Sequence, residues 1–85
     1  MTKTVLVRYF ASARAASGTD QEVLQLPAGA SVGEVLGVLR ERHPETLPRI
    51  LEAASFLLDG IAVRDPSRLL PDGSELDVLP PFAGG

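Results

Sequence analysis

Hydrophobic and polar positions fall into short blocks whose period changes along the chain. From Thr4 to Phe10, the residues Val5, Leu6, Val7, Tyr9 and Phe10 are β-branched, aromatic or Leu, a composition that predicts a strand with at least one buried face. Ala11 to Ala16 is rich in small residues and is read as a helical turn. Gly18-Thr19-Asp20 then supplies turn chemistry, and Val23-Leu24-Gln25-Leu26 predicts a second strand halted by Pro27 and Gly29. These first two strands are expected to form a hairpin with a long loop.

The period then shifts. Ser31 followed by Glu34 is the pattern of a capping box, in which each residue's side chain satisfies the other's backbone amide at a helix start. Val32, Val35, Leu36, Leu39 and Val38 follow at three- and four-residue spacing, so one face is apolar while Glu34, Arg40, Glu41 and Arg42 point outward. Pro44 ends the helix at about His43, because the residue before a proline avoids helical geometry. Leu47 to Ala54 is read as a short second helix with Leu47, Ile50 and Leu51 inward. Phe56-Leu57-Leu58, Asp59-Gly60 and Ile61-Ala62-Val63 form a hairpin pattern, since Asp-Gly tolerates the positive φ of a type I′ turn. Leu69-Leu70 precedes a turn at Pro71-Asp72-Gly73, and Glu75-Leu76-Asp77-Val78-Leu79 alternates as a half-buried strand does.

The order strand, strand, helix, strand or hairpin, strand predicts an α+β fold of β-grasp type. A mixed sheet of about four to five strands is covered by one main helix plus a short helix, with the apolar first and last strands paired in parallel at the centre. Residues 1–79 form the domain and residues 80–85 a flexible tail.

With 85 residues and 45% hydrophobic content, there is room for one domain and little for an enclosed catalytic pocket, which directs attention to an outer surface or a terminus. The net charge of −3 opposes binding to a phosphate backbone, so nucleic acid is not an expected partner. No cysteine is present, which removes disulfides, thiolate metal sites and cysteine nucleophiles and suits a reducing cytoplasm. The N-terminus lacks a signal-peptide pattern, no apolar run approaches a membrane span, and no metal site is expected. His43, the one histidine, is read as a partner of the helix C-terminal dipole rather than a catalytic or metal residue. Asp59-Gly60 and Asp72-Gly73 are read as turns, and Arg8 and Arg14 as solvated charges in preference to docking residues.

The candidate chemistry lies at the end. Pro80 and Pro81 cannot donate to a ladder, so they end the sheet and hold the chain extended; Phe82, Ala83, Gly84 and Gly85 follow. Six extended residues span at most about 20 Å, enough to reach into a partner's active site. Two terminal glycines pass a narrow channel and leave the last carbonyl open to attack. A free carboxylate is a poor acyl donor, but joined to AMP it carries a good leaving group that sulfur displaces.

The tail Leu79-Pro80-Pro81-Phe82-Ala83-Gly84-Gly85 resembles the ending of the MoaD family, the small subunit of molybdopterin synthase. Arg8-Tyr9-Phe10-Ala11 through Arg14 and Gly18 is similar to that family's first strand and loop, and Asp72-Gly73-Ser74-Glu75-Leu76 to its final turn and strand. The resemblance implies a ubiquitin-like sulfur carrier of the MoaD/ThiS superfamily. Its Gly85 is adenylated at the expense of ATP by an E1-like adenylyltransferase (MoeB-type) and is converted to a thiocarboxylate with sulfur from a donor enzyme. The tail then enters the large catalytic subunit of molybdopterin synthase (MoaE-type), which sulfurates a pyranopterin precursor of the molybdenum cofactor. The chain itself is then a cosubstrate that binds no cofactor. Phe10 and Leu79 match positions on the family's apolar, partner-facing surface. The residues themselves also admit a sulfur carrier for thiazole or cysteine synthesis, a protein modifier that forms isopeptide bonds, and an interaction module with an inert terminus.

Overall fold

The computed structural model describes residues 1–81; the reading of Phe82 to Gly85 as a tail therefore lies outside the described residues. Five strands, β1 (Thr2–Tyr9), β2 (Gln21–Pro27), β3 (Ser55–Leu58), β4 (Ile61–Ala62) and β5 (Ser74–Leu79), form one sheet in the order β2-β1-β5-β3-β4. β1 and β5 are parallel, with Val5 opposite Ser74 and Tyr9 opposite Val78, while every other pairing is antiparallel. The expected central parallel pair is therefore present, and the architecture is the ubiquitin-like β-grasp.

Three helices, α1 (Ser12–Ser17), α2 (Val32–Arg42) and α3 (Leu47–Ala53), accompany the sheet. α2 begins in the anticipated capping box: Ser31 Oγ accepts from the Glu34 amide at 3.3 Å, and the Ser31 amide donates to Glu34 Oε1 at 3.4 Å. Its apolar face, Val32, Val35, Leu36 and Leu39, is buried in one cluster with Val5, Val7 and Tyr9 of β1, Leu24 and Leu26 of β2, Leu58 of β3 and Leu76 and Val78 of β5. Each such buried side chain contributes about 1.5–3 kcal/mol of hydrophobic stabilisation, which fixes the face of the sheet that α2 covers.

Two expectations are corrected: the length of the strand after Asp59-Gly60 and the partner of the His43 ring. The small-residue stretch after β1 is helical as expected and extends to a six-residue helix, closed by Gly18 at φ +76°, so the described residues hold three helices. The strand after Asp59-Gly60 ends at Ala62, with Ile61 and Ala62 both exposed at the sheet edge. The turn itself matches type I′, with φ of 48° at Asp59 and 83° at Gly60. Leu69 contributes only an isolated bridge to Ser31. His43 does cap α2, its amide donating to the Leu39 carbonyl, but its ring binds a carboxylate rather than the helix end.

Candidate functional site

In β5 the residues Leu76, Val78 and Pro80 are buried on the α2 side, so Glu75, Asp77 and Leu79 face the other way. By the same alternation, β1 directs Thr4, Leu6 and Arg8 to this second face, where Leu6 lies opposite Val23 of β2 and Leu57 of β3 opposite Asp77. Phe10 follows the last register pair of β1 and β5, beside Leu79. Its amide donates to the Val78 carbonyl at 3.3 Å, and the Arg8 guanidinium stacks over its ring at 5.3 Å. Phe10 and Leu79, the two residues assigned to partner binding, therefore come together, both half-buried.

This open face mixes apolar and charged groups. Leu6, Val23, Leu57, Phe10 and Leu79 surround an ion cluster in which Arg8 Nε lies 2.9 Å from both Asp77 Oδ1 and Glu75 Oε1. The hydrogen bond to Asp77 leads the effects that raise the Arg8 pKa. Arg8 is thus a paired charge in the middle of the face rather than a free solvated one, and Arg14 likewise pairs with Asp20 at 3.0 Å. Leu6, Val23 and Leu57 were not singled out from the sequence; Val23, 58% exposed on a strand, is the clearest of the three, but strand alternation alone does not say which face is inside.

β5 ends at Leu79 in the middle of the sheet. Pro80 is buried and Pro81 exposed, so the chain leaves the core between these two prolines, at the rim of the open face beside Phe10. Backbone strain marks the same corner: Ala11 adopts φ 50°, ψ −126°, a conformation that favours glycine.

A second cluster lies on the α2 side. Glu22 Oε2 accepts from the Tyr9 hydroxyl and lies 2.8 Å from His43 Nε2, and its Oε1 accepts from Arg42 at 2.9 Å. The Tyr9 and His43 rings meet edge to face at 6.1 Å. Burial pushes the Glu22 carboxyl up, but the hydrogen bonds from Tyr9, His43 and Arg42 outweigh it and hold the group below its ordinary value. The cluster ties β1 and β2 to the end of α2, and a shallow polar concavity lined by Ala16, Arg42, His43, Pro44 and Glu45 opens beside it. Among the described residues no set of three or more His, Cys, Asp or Glu side chains is arranged to hold a metal ion, and no helix is long and apolar enough to cross a membrane.

A β-grasp domain whose central strand β5 ends beside a part-apolar open face is the architecture of the ubiquitin-like proteins. Residues 7–85 match the ThiS family, and the chain belongs to it. It is 30% identical to the molybdopterin synthase sulfur carrier subunit of Chlamydomonas reinhardtii over 82 residues, covering 95% of this chain and 98% of that one. Among solved structures it is similar to a putative molybdopterin converting factor, subunit 1, of Pyrococcus furiosus, with 28% identity, a TM-score of 0.84 and coverage of 94% and 99% of the two chains. It is also similar to small archaeal modifier protein 1 of Methanosarcina acetivorans, with 28% identity, a TM-score of 0.83 and coverage of 100% and 99%. A further match is a chain in the complex of subunits 1 and 2 of the molybdopterin-converting factor of Helicobacter pylori, with 26% identity, a TM-score of 0.68 and coverage of 96% and 99%.

Proposed function

We propose that this chain is the sulfur-carrier subunit of a molybdopterin synthase and that Gly85 is its working group. An E1-like adenylyltransferase joins the Gly85 carboxylate to AMP with release of pyrophosphate. Sulfur from a donor enzyme displaces AMP, and the resulting thiocarboxylate enters the large subunit, where it is spent on the pyranopterin. The domain supplies recognition and orientation while the terminal group carries the chemistry. The observation that carries the reading is the path of β5: a central, buried strand leads through Pro80 to the rim of an open face on which Phe10 and Leu79 adjoin. A partner seated on that face receives the terminus at a fixed place, since the four residues after Pro81 reach about 13 Å when extended.

Titration of the full chain with a large subunit of molybdopterin synthase tests the docking face. Phe10→Asp and Leu79→Asp, which each put a charge into the contact, are expected to weaken the complex at least about tenfold, or about 1.4 kcal/mol. Unchanged affinity in both variants overturns the assignment of this face. The similarity to small archaeal modifier protein 1 favours a second reading, in which the activated Gly85 acylates a lysine of another protein and remains attached; higher-mass conjugates in cell extracts distinguish it from a carrier.

A further inference from the structure

An activated carbonyl at Gly85 is an electrophile joined to its own protein, and being part of the same chain it meets that protein's surface at a high effective concentration. Any free nucleophile on the surface would compete with the intended acceptor. The side chains able to make that attack without a neighbouring base to activate them are Cys, Lys, His and Tyr, since the hydroxyls of Ser and Thr are weak nucleophiles on their own, and each of the four types is absent or engaged here.

Cysteine is missing from the sequence, and Lys3, His43 and Tyr9 are the sole members of their types. Lys3 is only 5% exposed, and its Nζ donates to the Ala30 carbonyl at 2.9 Å and to the Leu70 carbonyl. Both contacts hold Nζ in the interior, away from an incoming acyl group. Tyr9 is 1% exposed; its hydroxyl donates to Glu22, and burial, followed by that bond, raises its pKa. One ring nitrogen of His43, Nε2, is engaged by Glu22 Oε2, and an acyl group placed on the other would form an acyl-imidazole, which water or an amine cleaves again, so it makes no lasting link. The other seven basic residues are all arginine, whose guanidinium stays protonated and does not attack carbonyls. Lysine is among the commonest residues of soluble proteins, so an exterior carrying only arginine as its cation is a distinct chemical surface.

We infer that this protein presents no side-chain acyl acceptor to Gly85, so that, once activated, Gly85 is not transferred to the side chains of its own kind and copies of the chain cannot be branched onto one another through them. The inference rests on the reading of Gly85 as an activated terminus. In the step that is prevented, an amine lone pair attacks the Gly85 carbonyl carbon and a C–N bond forms. The C–O bond to AMP breaks, AMP leaves with the bonding pair, and the nitrogen gives its proton to solvent. If the protein acts as a modifier, it attaches once and is not extended through its own side chains.

Two arms test this on the full chain. The first uses the N-hydroxysuccinimide ester of acetic acid, an activated acyl group independent of Gly85, with peptide mapping. Lys3 is expected to acetylate on the order of 100-fold more slowly in the folded protein than in guanidinium chloride, as an ammonium released only by local opening does; native and denatured rates within about threefold of each other overturn the inference. The second adds the activating enzyme and ATP. Wild type is expected to give no product joined at Lys3, His43 or Tyr9, whereas Arg40→Lys, on the exposed side of α2, gives self-conjugates joined at the introduced amine. A wild-type product at any of the three residues overturns the inference, while one joined at the α-amine of Met1 agrees with it. Failure to form any adenylate counts against the carrier reading, and the ester arm still decides whether the side chains are inert.

Discussion

Replacing Glu22 by alanine removes the acceptor on which Tyr9, Arg42 and His43 converge. The Tyr9 hydroxyl, on a side chain 1% exposed, is left without a partner in the core, at a cost of about 1–3 kcal/mol. The bond to Arg42, whose side chain is 52% exposed, contributes about 0.5 kcal/mol, and the contact with His43 about 1 kcal/mol. The sum, about 3 kcal/mol, lowers the melting temperature by about 12–24 °C for a domain of this size, within a total stability of roughly 5–12 kcal/mol, so the variant still folds. Glu22→Gln keeps an acceptor and removes the charge, which isolates the pH dependence. Because the folded-state pKa of Glu22 lies below its ordinary 4.5, its charge-dependent stabilisation is present above that value and is lost as pH falls through the folded-state value. Thermal unfolding followed by circular dichroism should show a gap between wild type and Glu22→Gln at neutral pH that narrows as the pH is lowered below the ordinary carboxylate value of 4.5. A Glu22→Ala shift of less than about 3 °C, or a Glu22→Gln gap unchanged between those conditions, refutes the reasoning.

Three further substitutions probe other parts of the fold, each read by thermal or denaturant unfolding. Ala11→Gly relieves the φ 50°, ψ −126° conformation and is expected to stabilise by about 1 kcal/mol, the relief exceeding the extra freedom of glycine in the unfolded chain. Lys3→Met leaves the Ala30 and Leu70 carbonyls without their donor and is expected to cost about 2 kcal/mol. Ser74 is 2% exposed, and its hydroxyl has no partner among the described residues; Ser74→Ala is expected to stabilise by about 1 kcal/mol.

Elements held by local chemistry were legible in the sequence: the Ser31–Glu34 capping box, the Asp59-Gly60 turn and the alternation of β5 each need only neighbours a few residues away. The parallel pairing of β1 and β5 was legible because both strands are apolar and one helix must cover them. What escaped depends on distant partners. Lysine is ordinarily exposed, and nothing near Lys3 announces that carbonyls 27 and 67 residues away will enclose its ammonium. The Glu22 cluster joins residues 13 and 21 positions apart, so His43 was read against its own helix instead. Phe10 and Leu79 were named through resemblance, whereas Leu6, Val23 and Leu57, on the same face, required the register of three strands.

The central claim is the chemistry of Gly85, and the intact mass of the protein tests it most directly. Wild type and a form lacking Gly85 are incubated with ATP, a sulfur source and the activating enzyme. A gain of about 16 Da, one oxygen exchanged for sulfur, is expected in wild type alone; no gain under conditions that convert a known carrier, or an equal gain in the shortened form, contradicts it.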